Sequence, residues 1–184
     1  MPRKSIVELT AQAAASFPDN VTGLITPAAL RTFCEDFLNA IRPAYGICQK
    51  TAPQTVNLGL TPVAIAYTTA TSSDINQATA SAPNGTVART ERGTSTINWT
   101  MDIECATNRF ITATLFKDGV ATLWRITVNG AGTGNPVGMA LTAVDYADPA
   151  ATYEVRLSAE ADGVTTTINN GALIVSIDPV NSYT

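Results

Sequence analysis

Hydrophobic and polar residues alternate along two segments that lie far apart in the chain. In residues 97–105 every second residue, including Ile97, Trp99 and Cys105, is apolar, and the residues between them are polar. Residues 153–160 repeat this pattern. Because successive side chains of a β-strand point to opposite faces, we predict that each segment is a strand with one buried face and one solvated face.

Further β-type segments follow one another from Thr61 onward. Turn signals separate them: Asp118-Gly119 is typical of a hairpin, and Asn170-Gly171 is predicted to divide the last two strands. The predicted strands are residues 63–67, 86–89, 97–105, 110–117, 120–128, 137–144, 153–160, 164–169 and 172–178, with loops at 72–85 and 130–138. Strands at this spacing without intervening helices favour a jelly-roll-like antiparallel sandwich, so the fold is predicted to be mainly β.

The N-terminal part of the chain has a helical pattern instead. Ser5 and Glu8 have the spacing of a capping box, and Thr26-Pro27 is typical of an N-cap followed by the first residue of a second helix. Pro43 is predicted to follow the end of that helix. Its apolar residues lie three and four positions apart and are Leu30, Phe33, Cys34, Phe37, Leu38 and Ile41.

Such an apolar stripe must pack on another surface, because a single short helix is not stable alone. It packs either on its own domain or on a symmetry mate or another protein. In the second case Leu30, Phe33, Phe37 and Ile41 are the partner-anchoring residues. The Pro- and Gly-containing stretch that follows is interpreted as a linker. The chain is therefore predicted to contain a helical anchor at 1–46, a linker at 47–60 and a sandwich at 61–184.

Composition excludes several classes of partner. Only 14% of the residues are charged and the net charge is −4, whereas charged residues make up roughly 25% of an average globular protein. Basic residues do not cluster, so we do not expect a nucleic-acid partner. We predict no signal peptide, and the sequence has no apolar run of about 18 residues, so we do not expect a membrane partner.

The residue types usual in catalytic and metal sites are scarce. Histidine is absent, which removes the usual general base near neutral pH and the commonest metal ligand. Cys34, Cys48 and Cys105 show no CxxC spacing and are predicted to be free thiols, with Cys34 and Cys105 buried. The glycine-rich residues 130–134 lack the context of a phosphate-binding loop. We expect no catalytic residue, no cofactor and no metal.

Two pairs of carboxylates leave an alternative open. Asp102 and Glu104 share the polar face of one predicted strand, and Asp145 and Asp148 flank Tyr146. Either pair could bind a hard cation, and the first could also act in acid–base chemistry. On a solvated strand, however, carboxylates more often serve solubility and edge protection.

The two tryptophans are predicted to have different roles. Trp99 is in phase with buried-type residues and is expected in the core. Trp124 lies on one face of its predicted strand, and Leu123 and Arg125 lie on the other. Both faces therefore carry apolar residues or residues that are enriched at interfaces. This character indicates a subunit interface along that strand.

Two regions resemble segments of tailed-bacteriophage virion proteins. Residues 17–31, FPDNVTGLITPAALR, resemble a helical entry segment that precedes a β-domain in those proteins. The C-terminal segments DYAD at 145–148, ATYEVRLS at 151–158 and NNGAL at 169–173 are similar to the closing strands of trimeric, tumour-necrosis-factor-like jelly rolls. Such domains occur in phage head fibres, capsid decoration proteins and tail appendages.

The resemblance implies a structural virion protein that is not an enzyme. It implies a homotrimer, assembled in the host cytoplasm, whose N-terminal helices bind the major capsid protein or another virion subunit. The shortness of the chain favours a capsid decoration or head-fibre protein. The alternative is a tail-associated appendage or a carbohydrate- or receptor-binding module for a host-surface glycan, which exposed loop aromatics such as Tyr67 or Tyr146 would favour.

Overall fold

The computed structural model describes residues 6–16, 26–41, 43–73, 78–90, 93–147 and 150–179. In these ranges two helices precede twelve strands. The helices are α1 (Ile6–Ser16) and α2 (Pro27–Ile41). The strands are β1 (Ala44–Lys50), β2 (Gln54–Leu58), β3 (Val63–Ala64), β4 (Thr69–Ser72), β5 (Ala78–Ser81), β6 (Thr86–Arg89), β7 (Gly93–Cys105), β8 (Phe110–Lys117), β9 (Val120–Asn129), β10 (Val137–Ala147), β11 (Thr152–Ala159) and β12 (Val164–Pro179).

The strands form two sheets that pack face to face. Sheet A has the order β10-β7-β12-β1-β4, with β2 also paired to β12. Sheet B has the order β5-β6-β11-β8-β9, with β3 also paired to β11. The pairings between described strands are antiparallel. The chain crosses repeatedly between the sheets, as in a jelly roll, so the predicted mainly-β sandwich with a helical N-terminal segment is confirmed.

The core lies between the inner faces of the two sheets. The alternating apolar residues of β7, with Trp99 at their centre, are buried against those of β11, including Tyr153 and Leu157. Trp99 is 1% exposed. The hydrophobic alternation therefore predicted both the strands and the faces that they bury.

Two local sequence signals have the predicted structural consequence. The amide of Ala29 donates to Thr26 Oγ1 at 3.1 Å, so Thr26 caps α2 as expected. Asp118 and Gly119 have φ angles of 52° and 76° and connect β8 to β9. Two central residues with positive φ are the requirement of a type I′ hairpin turn. Ser5, the other predicted cap, lies outside the described residues.

The predicted linker at 47–60 is wrong, because this stretch belongs to sheet A. β1 pairs with β12 from Ala44 to Lys50, and β2 pairs with β12 from Gln54 to Leu58. The sandwich thus begins at Ala44. Gly46 is needed for close packing, since a Cβ there would lie 2.5 Å from the Cγ1 atom of Val87.

Three other predicted boundaries also change. Residues 72–85, predicted as a loop, contain strand β5. In the predicted strand at residues 63–67, only Val63 and Ala64 pair as a strand. Asn170-Gly171 does not end a strand: β12 runs continuously, and its register against β7 shifts between Ile168 and Gly171 at a bulge. A bulge accommodates the extra residues without reversing the chain.

The two helices pack mainly against each other in the described part of the chain. Leu9 of α1 is buried, and Gln12 Nε2 donates to Asp36 Oδ2 of α2 at 2.8 Å. Neither described helix combines the length and the hydropathy needed to cross a membrane.

Candidate self-association surface

The outward face of sheet A carries no charged side chain across three neighbouring rows. Strand register defines these rows, because residues paired across antiparallel strands point to the same side. We call these residues the sheet A face: Val144, Thr96, Ser176 and Tyr45 in the first row; Thr142, Asn98, Ile174, Ile47 and Thr71 in the second; and Ala140, Thr100, Ala172, Gln49 and Thr69 in the third.

Charged groups occur only at the two ends of this face. Asp102 and Glu104 lie beyond the third row, and Asp178 lies beyond the first. The Glu104 carboxylate accepts a hydrogen bond from the amide of Gly134 and so holds the glycine-rich loop. Within the described ranges no three His, Cys, Asp or Glu residues come together as a metal site. Asp148 lies outside those ranges, so the second carboxylate pair is not described in full.

The outward face of sheet B differs in its charge. Glu154 and Arg156 form an ion pair there, and the Arg156 guanidinium lies 4.3 Å from the centre of the Phe116 ring. Arg125 points to the same side, since it pairs with Thr114. Burying such groups carries a desolvation cost that the sheet A face does not have. Of the two faces, the sheet A face is therefore better suited to contact another protein surface.

Exposed apolar side chains lie along one edge of the sandwich. This edge consists of β9 and β10, the edge strands of sheets B and A, which contact each other. Val120, Leu123 and Trp124 on β9 and Tyr146 on β10 are exposed, Leu123 to 98%. We call these four residues the edge patch. Large apolar side chains exposed along two neighbouring strands are typical of an interaction site.

A polar network supports the edge patch from beneath. Asp145 Oδ2 accepts hydrogen bonds from Lys117 Nζ at 2.7 Å and from Tyr153 Oη at 2.8 Å. Burial alone would raise the pKa of Asp145, but these hydrogen bonds and the Lys117 charge outweigh burial and lower it. The hydrogen bond from Lys117 to Asp145 likewise raises the pKa of Lys117. The network joins β8, β10 and β11 and so ties the two sheets together at this edge.

The neighbouring Arg89 extends this network. Its guanidinium is buried, and Nη1 donates to Ser95 Oγ at 2.9 Å. Tyr153 also interacts with both Arg89 and Ser95. Burial raises the pKa of Tyr153 in this setting. The titratable groups here are positioned by one another, which is typical of a structural network.

The four predicted anchoring residues on α2 do not share one environment. Leu30 is 49% exposed and Phe37 is 45% exposed. Phe33 is half-buried and stacks on Phe37 with ring centres 6.4 Å apart. The Ile41 side chain lies outside the described residues.

One prediction about a single residue is wrong. Cys34 is exposed rather than buried, because it lies on the side of α2 that α1 does not cover. Tyr67 is buried and accepts a hydrogen bond from Trp99, so it does not supply the exposed loop aromatic that would favour a glycan-binding module. Cys105 is buried as predicted, and burial raises its pKa. Burial also raises the pKa of Cys48 to about 11.

Sequence reasoning found the strand of Trp124 but missed the sheet A face. Each outward residue of that face is an uncharged residue that is common in strands. Only the pairing of β1, β4, β7, β10 and β12 brings these residues into uncharged rows. The available signal was the lack of Lys, Arg, Asp and Glu at the outward positions of residues 96–100 and 172–176.

Comparison with known proteins supports the fold. The chain matches no known family, and no curated protein matches it. Among solved structures it is similar to the structure of Eiger TNF from S. frugiperda, with a TM-score of 0.50 and 12% sequence identity. The match covers 78% of this chain and 98% of that chain. At this identity the similarity concerns the fold alone: the chain forms a jelly-roll-like β-sandwich of the kind seen in that tumour-necrosis-factor protein.

Proposed function

We propose that the protein is a structural subunit of a tailed-phage virion, of the capsid decoration or head-fibre type, and is not an enzyme. It assembles as a homotrimer, and its N-terminal helical segment attaches it to the major capsid protein or another virion subunit. The observation that carries the self-association is the uncharged sheet A face beside an exposed apolar edge patch.

The two surfaces suit a contact between unlike patches. The edge patch of one copy offers Leu123 and Trp124, and the sheet A face of the next copy offers Ile174 and Ile47. A contact between different patches repeats from copy to copy and closes into a ring when the rotation allows. The resemblance to trimeric jelly rolls favours a ring of three.

Three features support attachment to a virion. Residues 17–31 resemble a phage entry segment, although residues 17–25 lie outside the described ranges. Thr26 caps α2, as the resemblance implies for the helix that follows. Leu30 and Phe37 leave apolar surface exposed on that helix.

The oligomeric state is the first test. Light scattering on the full chain at micromolar concentration should give three times the mass of one chain. Ile174→Glu, which places a charge in the middle of the sheet A face, should give a monomer that keeps its circular dichroism spectrum. Ser158→Glu, on the outward side of β11 in the middle of sheet B, is the matched control and should remain a trimer. A monomeric wild-type chain would contradict the proposal.

Location in the virion is the second test. Antibodies raised against the purified protein should label the heads of the phage that encodes it in negative-stain electron microscopy. Labelling of tails would favour the appendage instead, and unlabelled particles would refute a place on the virion surface.

A glycan-binding module is the second candidate, and Tyr146 favours it. This ring is 60% exposed at the sandwich edge, and exposed aromatic rings beside carboxylates are common features of sugar sites. Asp145, the neighbouring residue, is engaged by Lys117 and Tyr153 and is less free to bind a sugar hydroxyl. A glycan array with wild-type protein and Tyr146→Ala tests this function: binding that the substitution abolishes would support it.

A further inference from the structure

Helix α2 has an apolar stripe that α1 leaves uncovered. On the side toward α1, Asp36 is buried and Phe33 is half-buried. On the adjacent side, Leu30, Cys34 and Phe37 are exposed. A helix that buries one side and exposes an adjacent apolar side is expected to have a second neighbour, and the described part of the chain supplies only α1 as a substantial one.

The spacing of the uncovered stripe is that of a coiled-coil seam. Cys34 follows Leu30 by four residues and Phe37 follows Cys34 by three, and in the sequence Ile41 comes four residues later. Alternating steps of four and three place residues at the a and d positions of a heptad. Such residues pack between the side chains of a helix with the same repeat.

The charge pattern suits an identical partner. Leu30, Cys34 and Phe37 are uncharged, and the exposed Leu38 beside them widens the apolar surface. Two copies of this stripe can meet without repulsion between like charges, which any self-pairing surface requires.

The position of α2 in the chain points to the same partner. α2 ends at Ile41 and β1 begins at Ala44, so two residues join the helix to sheet A. Tyr45, the second residue of β1, lies in the first row of the sheet A face. In a ring of copies that associate through this face, the first residues of all β1 strands lie at the same end of the assembly. The C-terminal ends of the α2 helices, which are joined to these strands, lie at that end too.

We propose that the uncovered stripe of α2 packs against the same stripe of a second copy, as a parallel helical bundle at the end of the sandwich where β1 begins. The inference rests on the self-association in the proposed function. If it holds, attachment to another virion subunit uses residues of the helical segment other than Leu30 and Phe37. It assigns the stripe to contacts between copies of this chain rather than to a groove on a foreign protein.

Cys34 provides the test, because it lies in the stripe and the other two thiols are buried. A disulfide requires Cα atoms roughly 4.4–6.8 Å apart, a distance that facing positions of a parallel seam satisfy. The full chain would be oxidised briefly with copper-phenanthroline and run on a non-reducing gel. We expect a dimer band whose fraction does not change on dilution, since the helices are paired before oxidation.

The matched control moves the thiol off the stripe. Cys34→Ser should abolish the dimer band. Adding Glu35→Cys to Cys34→Ser places an exposed thiol about 100° around the helix, and this variant should not restore the band. A control that cross-links as fast as the wild type, or a wild-type band that fades on dilution, would mean random collisions and overturn the inference.

Light scattering on the same samples separates this inference from the proposed function. A trimer without a Cys34 cross-link would contradict the pairing of the α2 helices but would still support a trimer formed by the sandwich. A monomer without a cross-link would overturn both. A wild-type trimer that cross-links through Cys34, together with a Glu35→Cys control variant that does not cross-link, supports both.

Discussion

Trp99 Nε1 donates a hydrogen bond to Tyr67 Oη at 2.9 Å inside the core of the sandwich. Trp99 belongs to β7 of sheet A, whereas the Tyr67 amide donates to the carbonyl of Ala82, next to the strands of sheet B. The pair thus links the two sheets through a polar contact. Burial raises the pKa of Tyr67, so its hydroxyl stays protonated throughout the physiological range.

Removing either partner of this pair should destabilise the fold. Trp99→Ala should lower the free energy of unfolding by about 3–5 kcal/mol, as large aromatic truncations in cores do. Tyr67→Phe leaves the Trp99 indole N–H without its acceptor and should cost about 1–3 kcal/mol. Urea unfolding monitored by tryptophan fluorescence measures both changes.

A double-mutant cycle isolates the hydrogen bond from the packing. Tyr67→Phe should cost less in the Trp99→Phe background, where no indole N–H remains. Equal costs in both backgrounds would show that the hydrogen bond contributes nothing. A loss below about 1 kcal/mol for Trp99→Ala would contradict its burial.

Signals that act within a few residues predicted the structure well. Alternation located β7 and β11, Thr26-Pro27 located the start of α2, and Asp118-Gly119 located the β8–β9 turn. Each depends on backbone geometry that neighbouring residues determine. The sandwich class followed from the number and spacing of such strands.

Features that depend on distant pairing were not predicted. Pro53 and Gly59 suggested a linker at 47–60, yet pairing with β12 makes β1 and β2 strands of sheet A. Asn170-Gly171 suggested a turn, yet pairing with β1 and β7 keeps β12 extended through it. The sheet A face has the same origin, because its rows exist only once five strands are in register.

Acid should weaken the contact between Asp145 and Lys117. The folded pKa of Asp145 is lowered, so its contribution to stability is complete above the unfolded pKa of about 3.9 and is lost as the pH falls through the folded value. At pH 7, Asp145→Asn should cost about 1.5–3 kcal/mol, the range for hydrogen bonds to charged groups. The difference from wild type should shrink steadily in urea titrations below about pH 4.

Asp178→Asn serves as the control for this titration, because Asp178 is an exposed carboxylate at the end of sheet A. Its substitution should change stability little at any pH. A difference between wild type and Asp145→Asn that stays constant down to pH 2 would contradict the charged contact.

The three cysteines should differ in reactivity in the order of their burial. Cys34 is exposed, whereas Cys48 and Cys105 are buried with raised pKa values. The thiolate is the reactive form, so Cys34 should react first with a thiol reagent in the folded protein, and the other two only on unfolding. Mass spectrometry of the modified chain identifies the sites. Dithiothreitol and EDTA should leave the melting temperature unchanged; a large drop with either would reveal a disulfide or a bound metal.

The sandwich should fold without the helical segment, provided that the truncated chain retains β1. The helices pack mainly on each other, and β1 contributes the buried Ala44 and Cys48 to sheet A. A chain that starts at Ala44 should therefore keep the wild-type far-ultraviolet spectrum and bury Trp99 as before. A chain that starts at Thr51 lacks β1 entirely and exposes the edge of β12 from Gly171 to Ile177, so it should unfold at lower urea or aggregate. If the chain from Ala44 is as unstable as the chain from Thr51, the prediction is contradicted and the helical segment contributes to the stability of the sandwich.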